Sequence, residues 1–202
     1  MREISPQKQH AGPWSIPNLL TYARIAIVPA VVLCFDLSER MNSSDIERWY
    51  ALALFVFASI SDFLDGFLAR VWKQTSSLGR ILDPIADKLL ISVSLLLLAA
   101  DGTIAGFSIW AAVVILSREI LVSGLREFLA DIKVGIPATQ LAKWKTTLQM
   151  IAIGFLIVGP AGDKILPRST DIGLALLWIS AIVTLYSGYD YFSSGLKQII
   201  GE

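Results

Sequence analysis

The chain has 202 residues, 54% of them hydrophobic and only 17% charged. A water-soluble domain carries about 45–50% apolar and about 25% charged residues, so an ordinary aqueous fold is excluded in favour of lipid. Seventeen basic residues balance seventeen acidic ones, which removes any bulk polybasic surface and with it the case for nucleic acid.

Crossing about 30 Å of hydrocarbon takes about 20 apolar residues in a helix. By that measure the sequence predicts an all-α, polytopic membrane protein with six transmembrane helices. Residues 1–15 are a polar segment, placed in the cytoplasm, in which His10 reads as solvated. The first apolar run spans roughly 16–37, longer than the core of a secretory signal, and carries Asn18 and Arg24 within it. Leu33 occupies the place where lipoprotein cleavage before Cys34 would need a small residue, so the run reads as a retained helix. Cys34 itself has no second cysteine to pair with and reads as filler. Five further runs follow at roughly 49–72, 81–100, 105–129, 142–160 and 171–194. The joints between them are short and polar, and no two halves repeat as they do in many transporters. Residues 16–202 therefore read as one six-helix membrane domain.

With the N-terminus in the cytoplasm, that side holds Arg2, Lys8, Arg70, Lys73, Arg80, Arg126, Lys133, Lys143, Lys145 and Lys197. The other side holds Arg40, Arg48, Lys164 and Arg168. Ten against four predicts an N-in, C-in topology.

Four carboxylates interrupt the second and third runs: Asp62, Asp65, Asp83 and Asp87. Each costs about 2.5–3.5 kcal/mol at membrane depth, so a cation must offset them. At 100° per residue, Asp62 and Asp65 lie about 60° apart on one helix and Asp83 and Asp87 about 40° apart on the next. A short cytoplasmic joint lets the two pairs face each other. Converging oxygen donors without His or Cys suit Mg²⁺ or Mn²⁺ rather than zinc. Gly66, Ala69 and Gly79 leave room either for a flat base and a sugar or for close helix packing. Arg70 either holds a phosphate or reaches to the interface.

The pattern Asp62-x-x-Asp65-Gly66-x-x-Ala69-Arg70, eight residues, Gly79-x-x-x-Asp83-x-x-x-Asp87 resembles the complete signature of the CDP-alcohol phosphotransferase family. The resemblance implies a six-helix membrane fold, a homodimer, and a cytoplasm-facing site with two divalent metal ions. It implies that Asp62, Asp65 and Asp83 ligate metal and that Asp87 contacts metal and acts as general base on the acceptor hydroxyl. Asp62, Gly66, Ala69, Arg70 and Gly79 would line the cytidylyl pocket, with CMP as the leaving group.

Arg118 and Arg126 stand about 80° apart on the fourth helix, and Lys143 and Lys145 open the fifth. A basic pocket beside the acidic pairs suits an acceptor that itself carries a phosphate, and would repel choline or ethanolamine. Lys143 and Lys145 also fit the ordinary basic bias of the inner side, and Arg118 also fits an ion pair with Glu119. Ser117-Arg118-Glu119-Ile120, Leu125-Arg126-Glu127, Lys143-x-Lys145-Thr146 and the opening Ile16-Pro17-Asn18-Leu19-Leu20-Thr21 with Arg24 resemble the bacterial phosphatidylglycerophosphate synthases. That resemblance runs over residues 16–150 and implies CDP-diacylglycerol as donor, sn-glycerol 3-phosphate as acceptor and the bacterial inner membrane as location. Asn18, Thr21 and Arg24 recur every three residues on one face and either line the site or bond to neighbouring helices. Rival readings are another acceptor (inositol phosphate, inositol or serine), a cation- or proton-coupled transporter using the aspartates as relays, and a non-catalytic scaffold. The short chain without repeats counts against the transporter, and the four carboxylates have no use in a scaffold.

Overall fold

The computed structural model describes residues 16–41, 45–71, 77–132 and 140–200; within these, the side chains of 16–17, 39–41, 63, 65–71, 77–78, 80, 140–143, 196 and 199–200 lie outside the description. The described residues form six α-helices and no strand: α1 Ile16–Met41, α2 Asp45–Val71, α3 Ser77–Ala100, α4 Ile109–Asp131, α5 Gln140–Asp163 and α6 Ser169–Ile200. A single 3₁₀ turn, Gly106–Ser108, leads into α4. Each helix exceeds the expected apolar run at one or both ends, because polar residues continue the helical backbone where the hydrocarbon signal stops. Asp45 and Glu47, for example, open α2, where acidic side chains complement the positive end of the helix dipole.

Successive helices run antiparallel. α1 packs on α2 and α3, α2 on α5, α3 more lightly on α5, and α6 against both α5 and α4. Phe55, Leu95, Leu98, Ile115, Ile153, Leu156 and Leu177 meet in the buried middle. Large apolar side chains also point outward, with Leu33 61% and Ile120 73% exposed. A bundle apolar inside and outside is one whose solvent is lipid. Among the described residues four helices, α1, α4 with its leading turn, α5 and α6, are long and apolar enough to cross a membrane. The carboxylates that set α2 and α3 apart also lower their apolarity.

The two ends of the bundle are built differently. At one, Arg48 of α2 ties three helices: its guanidinium pairs with Asp101 after α3, donates to the Ile157 carbonyl at 3.1 Å and lies over the Phe35 ring. Asp101 also accepts from the Thr103 backbone N–H at 2.9 Å and hydroxyl at 3.0 Å. α5 kinks here at Gly159, whose φ of 48° and ψ of −126° precede Pro160. A Cβ on Gly159 would lie 2.8 Å from Arg48 Nη1. Asp163 then accepts from Ser169 and Thr170, fixing the turn into α6. The other end carries the charged residues described next.

Gly159→Ala is expected to lower stability by about 1–3 kcal/mol, through backbone strain and displacement of Arg48. Reversible unfolding in detergent measures it, and a midpoint equal to wild type would contradict the close approach.

Candidate active site

Asp62 lies in the C-terminal half of α2, and Asp83 and Asp87 in the first half of α3, so the two antiparallel helices carry all three towards one end of the bundle. α1 meets them there. Arg24, fully buried, places Nη1 2.6 Å from an Asp62 oxygen, and the Thr21 hydroxyl donates to Asp83 at 2.5 Å. Asn18 is buried one turn earlier. The three-residue rhythm of Asn18, Thr21 and Arg24 thus aims one face of α1 at the aspartates. One oxygen of Asp87, Oδ1, is buried without a hydrogen-bond partner, although the charges of Asp62, Arg24, Glu119 and Lys145 all act on the carboxylate.

Glu119 and Lys145 belong to a second cluster contributed by α4, α5 and α6. Lys145, buried near the start of α5, pairs with Glu119 of α4. Arg118 approaches the same Glu119 oxygen at 3.5 Å, and its Nη2 donates to Ser187 of α6 at 3.0 Å. Gly188 seats the Arg118 stem, since a Cβ at that position would lie 2.9 Å from Arg118 Cγ. Ser187 donates onward to the Thr184 carbonyl at 3.1 Å. Sequence reading gave α6 no part in the site. Its contribution is a hydroxyl and a missing methyl group, neither of which stands out in an apolar run. Arg126 is exposed, with its guanidinium over the Tyr191 ring at 5.8 Å, outside the buried cluster although its charge still reaches Arg118.

A cavity of about 680 Å³ runs between α2 and α5 from Asp62, Thr146 and Thr147 to Trp49, Ile165 and Ser169. From residue 62 back to 49 is about 20 Å along a helix axis, two-thirds of an about 30 Å hydrocarbon core. Its walls, including Leu52, Phe55, Val56, Met150 and Phe155, are almost wholly apolar. An apolar tail fits it, with the polar head at Asp62.

The remaining expected residues stand as follows. Gly79 is buried in the first turn of α3. Asp65, Gly66, Ala69 and Arg70 lie on α2 and Lys143 on α5, and beyond that helical position they fall outside the described residues. Among the described residues no three acidic, His or Cys side chains form a metal-holding group. The donor set nevertheless suits a hard divalent cation in kind: oxygen only, with a bare buried carboxylate oxygen on Asp87 beside Asp62.

Residues 14–186 match the family model described as CDP-alcohol phosphatidyltransferase. A Rickettsia bellii protein named CDP-diacylglycerol–glycerol-3-phosphate 3-phosphatidyltransferase is 43% identical over 183 residues, covering 91% of this chain and 96% of the relative. Proteins of the same name from Cereibacter sphaeroides and Pectobacterium atrosepticum are 38% and 37% identical, covering 94% and 93% of this chain and 99% and 98% of the relatives.

Glu119→Gln leaves Lys145 and Arg118 as buried cations without their shared anion, and is expected to cost about 3–5 kcal/mol of stability. Detergent unfolding of this variant beside Glu119→Asp tests it; equal midpoints for Glu119→Gln and wild type would contradict the pairing.

Proposed function

The chain belongs to the CDP-alcohol phosphatidyltransferase family, and from that premise we propose that it moves the phosphatidyl group of CDP-diacylglycerol onto sn-glycerol 3-phosphate, giving phosphatidylglycerol phosphate and CMP. The observation that carries this reading is a junction at one end of the bundle. There an apolar cavity ends on Asp62, Asp62 acts on Asp87, and Asp87 lies within electrostatic reach of the buried Lys145. A lipid donor, an acidic reaction centre and a cationic seat for an anionic acceptor are the three parts such a transfer needs.

In the reaction the acceptor's terminal hydroxyl oxygen attacks the phosphatidyl phosphorus. A new P–O bond forms, the bond to the bridging pyrophosphate oxygen breaks, and CMP leaves with its electron pair. Asp87 takes the hydroxyl proton; its unpartnered, buried Oδ1 supports that role. Arg24 and Thr21 orient Asp62 and Asp83. Two divalent ions, Mg²⁺ or Mn²⁺, held by Asp62, Asp65, Asp83 and Asp87, would neutralise the charge that grows on the pyrophosphate. Asp62, Gly66, Ala69, Arg70 and Gly79 line the cytidylyl pocket. Arg118 and Lys145, with Lys143 and the more exposed Arg126, receive the acceptor phosphate, where a guanidinium binds two oxygens at once.

We place all six helices across the bacterial inner membrane, N-in and C-in, as one catalytic domain with residues 1–15 in the cytoplasm. The basic-residue bias supports this orientation, which puts the aspartates and cations on the cytoplasmic side, where glycerol 3-phosphate and CMP are soluble. The assembly is a homodimer in this reading.

The experiment is CMP release by the purified chain from labelled CDP-diacylglycerol against a panel of acceptors. Turnover with glycerol 3-phosphate, abolished by chelator and restored by Mg²⁺ or Mn²⁺, is expected; turnover only with inositol phosphate, inositol or serine would overturn the acceptor. Asp87→Asn should lower turnover at least about 10³-fold while donor binding persists, because only the proton acceptor is lost. Near-normal turnover would remove Asp87 as base. Arg118→Ala should raise KM for glycerol 3-phosphate about 10–100-fold with little change for the lipid, as expected for a lost charged hydrogen bond. Equal effects on both substrates would contradict an acceptor-phosphate role.

A further inference from the structure

Just beyond the Glu119–Lys145–Arg118 cluster, towards the middle of the bundle, lies a set of polar groups that the reaction above does not use. Gln149 follows Lys145 by one turn on the same face of α5, about 5.4 Å along the axis. It is fully buried, and neither its amide nitrogen nor its amide oxygen has a hydrogen-bond partner. α6 packs against α5 and runs antiparallel to it, so Thr184 and Ser180 succeed Ser187 in the same direction. Both are buried with unpartnered hydroxyls. On α3, which also packs on α5, Ser94 sits two turns beyond Asp87 and is buried and unpartnered as well.

Serine and threonine inside a helix ordinarily satisfy themselves on the carbonyl four residues back. Ser59, Ser61 and Ser123 do so here, at 2.8, 2.8 and 2.6 Å. Ser94, Ser180 and Thr184 do not. A glutamine amide offers two donors and two acceptor sites, and leaving both ends empty in an apolar interior is strongly disfavoured. Three helices, two of them packed on the third, therefore carry buried, unsatisfied donors and acceptors within about two turns of the Glu119–Lys145–Arg118 cluster and of Asp87. Such groups suit a small hydroxylated guest.

We propose that Gln149, assisted by Thr184, binds the non-reacting hydroxyl of the acceptor and is a specificity-determining residue of the enzyme. The inference rests on the acceptor reading given above. Glycerol 3-phosphate has its phosphate at one end and its reacting hydroxyl at the other, with a second hydroxyl between. With the phosphate on Arg118 and Lys145 and the reacting hydroxyl at Asp87, the middle hydroxyl is the group left to be read. It both donates and accepts, as an amide does. A site built to pair a hydroxyl rejects the analogue lacking it, because its own buried groups are then left bare.

The test compares glycerol 3-phosphate with 1,3-propanediol monophosphate, which lacks only that hydroxyl, using the full chain in detergent with CDP-diacylglycerol and Mg²⁺. Wild type should prefer glycerol 3-phosphate by about 100-fold in kcat/KM. Gln149→Leu should lower kcat/KM for glycerol 3-phosphate by a similar factor, leave the analogue within about threefold, and so erase the preference. Thr184→Val should narrow it in the same sense, and decides the matter if Gln149→Leu does not fold. A wild type without preference would overturn the assignment. So would variants that lose activity equally on both acceptors, which is the signature of a purely structural or water-filled chamber. Wild-type turnover on an unphosphorylated alcohol but on neither phosphate would overturn the acceptor reading itself.

Discussion

Everything at the working end of this bundle is governed by one constraint: charge inside a lipid-facing protein must be met by opposite charge or by a hydrogen bond. Burying an ion without a partner is far more costly than any single packing contact can offset. Arg24, with no exposed surface, survives because Asp62 lies 2.6 Å away. Lys145 and Arg118 survive because Glu119 is shared between them. These pairings join α1 to α2 and α4 to α5, helices whose apolar faces alone would not fix their rotation. Charge thus sets the register of the bundle as well as its chemistry.

The same constraint separates the two substrates of the proposed reaction. Asp62, Asp83 and Asp87 come from α2 and α3, Arg118 and Lys145 from α4 and α5, and the two sets are close enough for Lys145 to act on Asp87. The cavity between α2 and α5 has apolar walls and meets charge only at its end. In the proposed reaction a molecule with a long tail and a pyrophosphate head would enter it in one orientation only. A small anionic alcohol would find no favourable place in that cavity and would settle instead against Lys145 and Arg118. The far end of the bundle has no such division. There Arg48, Asp101 and Thr103 satisfy one another and the Ile157 carbonyl, which closes the structure.

How much of this was legible beforehand follows from the residue types. Aspartates in apolar runs are conspicuous because nothing but a partner or a cation justifies them, so Asp62, Asp65, Asp83 and Asp87 were readable as two pairs from helical spacing and the short joint between their runs. Asn18, Thr21 and Arg24 were readable as one face, and only their targets were missing; the structure supplies Asp83 and Asp62. Arg118 was readable as an interior cation, with both a phosphate role and an ion pair open, and the Glu119 contact realises the second without excluding the first. Ser187, Gly188 and Gln149 were not readable. Small and neutral residues occur throughout membrane helices for packing reasons, and their meaning depends on which neighbour they face. That is a property of helix rotation, which a single sequence does not encode locally. Helix ends were missed for a related reason: hydropathy reports where the hydrocarbon stops, not where the backbone hydrogen bonding does.

The cavity between α2 and α5 has exposed residues such as Trp49, Val56 and Ile151 along its rim. In the proposed membrane placement it would open sideways to the bilayer rather than to water. A donor using it would never have to be extracted from the membrane, and its effective supply would be a mole fraction among neighbouring lipids, not a molar concentration. Saturation for that substrate would be diluted by inert lipid or detergent at constant bulk amount. Saturation for the water-borne alcohol would be indifferent to such dilution. One catalytic centre would thus obey two-dimensional kinetics on one axis and three-dimensional kinetics on the other.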